Sequence, residues 1–158
     1  MNKNPTCFAP EVLLEEYRRL LRDDPQIHAL PLVISGNSMS PFLVHGRDTV
    51  YLSRLTRPPK RGDMLLYQRR SGAYVLHRVY RVDDGVCTMV GDAQTVLEPG
   101  ICEDQIIAVV TAVRRKEKRL TSGYFLWDFF EHIWLCMIPW RPLGMKLYGI
   151  LRQPKGKE

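Results

Sequence analysis

Three short motifs hold residue types that could do nucleophilic chemistry together. The first is Ser35-Gly36-Asn37-Ser38-Met39-Ser40-Pro41, followed by His45-Gly46-Arg47-Asp48. The second is Arg61-Gly62-Asp63-Met64 leading to Leu76-His77-Arg78-Val79, and the third is Val90-Gly91-Asp92-Ala93. A serine hydroxyl is a poor nucleophile until a nearby base takes its proton. Neutral imidazole can do so near pH 7, its unperturbed pKa being about 6.5. An acid behind the imidazole then fixes its tautomer and stabilises the imidazolium, and Asp92 is the first candidate. Each motif alone has a plainer reading. Ser-Gly-Asn-Ser runs are commonly turns, a lone His in an alternating strand is commonly structural, and an Asp after Gly is commonly a turn residue. His45 and His132 read as surface residues, and His28 suggests no role.

Taken in order, G-x-S-M-x-P, G-D, H-R-V and G-D-A resemble the signal peptidase I and LexA-like serine peptidase superfamily, over roughly residues 32–113. The resemblance implies that Ser38 is the nucleophile. Most bacterial signal peptidases and LexA-like proteins pair that serine with a lysine. His77-Arg78-Val79 is instead similar to the ER-type branch, which implies His77 as base. Family members often carry a second acid six positions after the G-D-A Asp, here Glu98, so either Asp92 or Glu98 could orient His77. Met39 would line the substrate groove and Pro41 would shape the turn. A substrate would bind as an extended strand, with small residues before the cut. Arg78 and Asp63 are expected to be structural, paired with each other or with backbone groups.

One departure bears on rate. Signal peptidases commonly read S-G-S-M, and the first serine's hydroxyl helps bind the oxyanion. Here Gly36 stands two before Ser38, and Ser35 lies one step farther off. The oxyanion would rest on backbone N–H groups near Ser38, helped by Ser35 or Asn37. Losing one such donor costs roughly a hundredfold in rate. The implied activity is an endopeptidase acting on a peptide or protein substrate. The alternatives are a LexA-like self-cleaving protein, a non-catalytic peptide-binding module on the same fold, and a peripheral membrane scaffold. No DNA-binding segment is found and His stands where LexA-like proteins have Lys, which disfavours self-cleavage.

The elements that would position these residues are mostly strands. Segments 31–35, 48–53, 63–68, 74–82, 86–91 and 106–113 are rich in β-branched and aromatic residues, and turn residues separate them. Asp84-Gly85 between two apolar runs signals a hairpin. These predict a mainly β fold, a compact coiled sheet over residues 31–115. Before it, residues 1–30 form a helical segment with apolar residues at helical spacing over 10–22, best suited to packing on the core. After it, residues 116–158 form a C-terminal amphipathic helical segment with a basic tail. Within it, 124–138 reads as a helix with Asp128, Glu131 and His132 on one face and aromatic residues over the rest, stopped by Pro139.

The chain has 158 residues and a formal net charge of +6, within the range of one domain with appendages. The charge suggests an anionic partner without choosing one. No nucleic-acid-binding signature is present, so none is expected as partner. Arg114, Arg115, Lys116, Lys118 and Arg119 form a basic cluster, either a solvated turn or a contact for anionic headgroups. The aromatic segment after it, with Tyr124, Trp127, Trp134 and Trp140, either packs on the core or lies in a membrane interface. The four cysteines form no C-x-x-C pair, and no metal or cofactor site is expected. They read as reduced thiols, most of them buried. The N-terminus does not read as a signal peptide, and no window of 18 apolar residues exists. The expected location is cytoplasmic, with peripheral membrane association.

Overall fold

A computed structural model of the chain describes residues 10–152. Eight antiparallel strands form one sheet: β1 (Leu30–Val33), β2 (Thr49–Ser53), β3 (Met64–Gln68), β4 (Tyr74–Asp83), β5 (Val86–Val90), β6 (Glu98–Ile101), β7 (Ile106–Arg115) and β8 (Lys118–Leu120). Their order is β1-β2-β7-β3-β4-β5-β6, with β8 paired to β7. Helix α1 (Pro10–Asp23) precedes the sheet, and α2 (Phe125–Asp128) and α3 (Arg141–Arg152) follow it. The protein is therefore mainly β, with an N-terminal helix and C-terminal helices.

The six strands expected from β-branched and aromatic runs all form. Asp84 and Gly85 take φ of 48° and 80°, the left-handed pair that a two-residue hairpin needs, and join β4 to β5. Two strands carry no such signal. β6 reads Glu-Pro-Gly-Ile and ends the sheet, where a Pro is tolerated because one backbone edge need not pair. β8 is short and charged. The basic cluster is thus the β7–β8 hairpin, turning at Lys116-Glu117.

Strand β3 is buried on both faces, so its successive residues feed two cores. Met64 and Leu66 join Val50, Leu52, Phe42 and Met39 in the larger one. Leu65 and Tyr67 join Val79, Cys87, Met89 and Ile101 in the other. Helix α1 packs on the larger core through Leu14 and Leu21, as its spacing predicted, and the Tyr17 hydroxyl donates to the Pro31 carbonyl at 2.7 Å.

Of the two roles expected for the C-terminal segment, packing on the core is the one its buried aromatics take. Trp127, Phe130 and Trp134 are buried in the larger core, and Phe42 packs edge-on against Trp127 with ring centroids 5.9 Å apart. Helix α2 runs on as wider, π-type turns over Phe129–Trp134. Those turns shift the helical phase. As a result, Asp128, Glu131 and His132 do not share an exposed face. Glu131 is buried and accepts the Trp127 indole N–H at 2.9 Å, while His132 is exposed. A tight turn at Ile138–Trp140 breaks the run, and α3 then forms as a separate helix that the sequence reading did not divide off. Among the described residues, no helix is long and apolar enough to cross a membrane.

Candidate active site

The loop carrying Ser38 is tied at both ends. The Ile34 N–H donates to the Asp48 carbonyl at 2.9 Å, and the Gly46 N–H donates back to Ile34 at 2.8 Å. The buried Asp48 carboxylate accepts the Val44 N–H at 2.9 Å and both arms of Arg47 at 2.7 Å. Gly36 sits at φ +89°, which suits glycine, and its N–H donates to His45 Nδ1 at 3.0 Å. His45 is exposed as expected, yet it also braces the loop. Met39, Phe42 and Leu43 plug the loop into the core. The Ser40–Pro41 peptide is cis.

The Gly91-Asp92-Ala93 motif has one task per residue. The Ala93 N–H donates to the Ser38 carbonyl at 2.8 Å. Gly91 lets the two segments close, since a Cβ there would lie 2.6 Å from that same carbonyl oxygen. The Asp92 carboxylate is wholly buried and bound on both oxygens by the equally buried Arg78, each bond 3.1 Å long. Arg78 also donates to the Gly62 carbonyl at 3.0 Å. Arg78 and Asp63 therefore do not pair with each other. Asp63 instead accepts Arg57 through two bonds of 2.8 and 2.7 Å and the Lys60 N–H at 2.9 Å. Both are braced by charged partners and backbone groups, as structural residues should be.

His77 lies on β4 opposite Leu65 of β3, so Tyr67, two residues along β3, shares its face. The Tyr67 hydroxyl is 3.2 Å from His77 Nδ1 and donates to Glu98 Oε2 at 2.7 Å. Glu98, on β6, also accepts both arms of Arg69 at 2.6 and 2.7 Å. Its nearer oxygen is 3.7 Å from His77 Nδ1, too far for a direct hydrogen bond. Glu98 thus reaches His77 through a phenol, while Asp92 is committed to Arg78.

The titration behaviour follows from this geometry. Burial pulls the His77 pKa down to about 4, against an opposing pull from the Glu98 carboxylate. The Arg69 hydrogen bonds hold Glu98 below the usual carboxylate range. Burial, reinforced by the hydrogen bond to Glu98, raises the Tyr67 pKa and keeps the phenol neutral. A neutral phenol has one proton, and here it points to the carboxylate. Its oxygen can then only accept from His77, which assigns the ring proton to Nδ1 and leaves Nε2 bare.

Ser38 and His77 line one surface pocket of about 250 Å³. Ser35, Gly36 and Met39 line it too, with Arg69 and Gln94. Asn37 does not; it is exposed, and its carbonyl accepts the Ser40 N–H in the turn. The Gly36 N–H, occupied by His45, is not available to an oxyanion. A hydroxyl and an imidazole with a bare Nε2 in one pocket, backed by a carboxylate, are the groups that base-assisted attack on a carbonyl requires.

Sequence reasoning missed Tyr67 and Arg69. Alternation could have put Tyr67 on the face of Leu65, but only the strand register puts that face against His77. Among the described residues, no group of His, Cys, Asp and Glu side chains could hold a metal ion. Of the cysteines, Cys87 on β5 is buried, whereas Cys102, just after the edge strand β6, is half-buried and Cys136, in the C-terminal helical segment, is exposed. All three are unpaired, and Cys7 lies outside the described residues. The chain matches no protein-family model, and neither a curated protein nor a solved structure matches it.

Proposed function

We propose that this protein is a serine endopeptidase of the signal-peptidase-like type, cleaving a peptide or protein substrate with Ser38 as nucleophile and His77 as general base. One observation carries the reading. Ser38 and His77 come from segments 39 residues apart, yet line one pocket, with the base tautomer set from behind by Tyr67 and Glu98. The mainly antiparallel sheet supports it at the level of fold class.

In the proposed reaction, the Ser38 hydroxyl attacks the scissile carbonyl carbon and its proton passes to His77 Nε2. The imidazolium keeps its Nδ1 proton on the Tyr67 oxygen, and the Glu98 carboxylate balances the new charge. The Nε2 proton then goes to the leaving amine. Water hydrolyses the Ser38 ester with His77 again as base. The low pKa of His77 keeps the imidazole neutral at pH 7, which suits a base. With Gly36 N–H already donated to His45, Ser35 on the pocket wall is the side-chain donor within the loop for the oxyanion.

The test compares protein termini in cells making the wild-type chain, Ser38→Ala or His77→Ala. New termini should appear with wild type and vanish with both variants, while each purified variant keeps the wild-type fold. Identical termini in all three would leave the fold as a peptide-binding module.

A further inference from the structure

Helix α3 has two apolar faces, and the fold uses only one. On the inner face, Arg141 is wholly buried, Met145 packs against the larger core, and Gly144 sits so close to the Trp134 ring that a Cβ would lie 2.7 Å from it. On the outer face, Leu143, Leu147, Ile150 and Leu151 are 58–77% exposed. Their spacing of i, i+4, i+7 and i+8 makes one continuous stripe. Trp140, 64% exposed, stands at its head, and exposed Lys146 flanks it.

The basic hairpin lies at the same end of the molecule. Tyr148 of α3 lies within electrostatic reach of Arg115, which ends β7 at the hairpin, and of Arg47. Beyond Arg115, the exposed Arg114, Lys116, Lys118 and Arg119 face solvent with Glu117 as the one acid in the turn. Arg119 stacks on Tyr51 with its guanidinium 5.0 Å from the ring centre, and Lys116 and Lys118 stand at the tip.

We propose that α3 and the β7–β8 hairpin together form a docking surface for an anionic lipid bilayer, with α3 lying in the interface plane. An apolar stripe beside a cluster of cations is complementary to acyl chains beneath negative headgroups. The 12 residues of α3 span about 18 Å, too short to cross a hydrocarbon core of about 30 Å but long enough to lie along it. Trp140 at the head of the stripe suits headgroup level. The proposal does not depend on the peptidase reading, because no residue in it belongs to the Ser38–His77 site.

Sedimentation of the full-length protein with vesicles of phosphatidylcholine alone, or mixed with phosphatidylserine, tests it. Binding is expected on the anionic vesicles at low salt, weakening as salt rises. Replacing two cations by Lys116→Gln and Lys118→Gln removes roughly 1 kcal/mol each, so partitioning should fall about 30-fold. Leu147→Ser with Ile150→Ser should abolish binding while leaving the thermal midpoint unchanged, since both side chains already face solvent. Ser38→Ala should bind as wild type does. The proposal fails if no vesicle binds the protein, or if the double serine variant binds normally. It also fails if sedimentation velocity shows the stripe covered by a second copy of the chain and that dimer ignores vesicles.

Discussion

Tyr67→Phe isolates the phenol that joins His77 to Glu98. The substitution removes one hydroxyl and keeps the buried ring. Two hydrogen bonds disappear, one of 3.2 Å from the His77 side and one of 2.7 Å to Glu98. Glu98 keeps both bonds from Arg69, so its carboxylate stays in place. At about 1 kcal/mol net for each bond, the loss is about 2 kcal/mol, or roughly 4–8 °C in thermal midpoint for a chain of this size. The sharper effect is on the imidazole. His77 Nδ1 loses its acceptor, and the nearest carboxylate oxygen is 3.7 Å away. The bias toward the Nδ1–H tautomer should therefore fall by roughly 5–30-fold, as 1–2 kcal/mol dictates. Long-range proton–nitrogen NMR distinguishes a protonated ring nitrogen from a bare one, and it needs no substrate. Wild type should show the proton on Nδ1, and Tyr67→Phe should show a mixture or the reverse. A wild-type spectrum with the proton on Nε2 would refute the assignment, as would a Phe variant indistinguishable from wild type.

Stability should fall as pH drops from about 6.5 to 4, because in that window the unfolded chain protonates His77 and the native state, with its pKa near 4, does not. The loss reaches the order of 3 kcal/mol and should be absent in His77→Asn; urea midpoints across that range check it, and equal slopes in the two proteins would sink the idea. Asp92→Asn strands the buried Arg78 charge and should cost about 3–5 kcal/mol, a fall on the order of 10 °C, whereas Glu98→Gln should cost less and push the His77 pKa lower still. Calorimetry and a His77 NMR titration separate the two, and matching results would contradict the division of labour between these acids. Gly91→Ala must move the Ser38 carbonyl, so reaction of Ser38 with a fluorophosphonate should drop further than stability does; unchanged labelling would show the contact to be irrelevant.

What the sequence made legible was what local chemistry controls. Val, Ile and Tyr runs marked six strands, Asp84-Gly85 marked a hairpin, and Leu14 and Leu21 marked the packing face of α1. The Ser38, His77 and Gly91-Asp92-Ala93 segments stood out by type and order. What stayed hidden depends on register and on long-range ties. Glu98 was a candidate by its place after Gly91-Asp92, but the strand that carries it was hidden, since its Pro-Gly composition argues against a strand; Glu98 reaches His77 through Tyr67 only because β6 closes beside β5. Tyr67 looked like any core aromatic until β3 was set against β4. Glu131 turned inward because π-type turns changed the phase that a regular helix would have kept.

The tie between the C-terminal segment and the 91–94 loop changes how the chain can be divided. Arg141 donates to the Gly91 and Gln94 carbonyls at 2.7 Å each, and the Trp134 indole donates to the Asp92 carbonyl at 2.8 Å. The same loop grips the Ser38 carbonyl through Ala93. Residues 31–115 are therefore tied to the C-terminal segment through the main chain of this loop. A fragment ending at Arg115 would take the Trp134 and Arg141 donors from the Asp92 and Gln94 carbonyls, leave Gly91 only its bond from the Gln94 N–H, and uncover Phe42 where Trp127 and Phe130 had packed. The whole of 10–152 should melt in a single cooperative step. Because the grip is on main-chain oxygens, the loop's side chains carry no trace of it, and a boundary drawn from motifs alone crosses these bonds unseen.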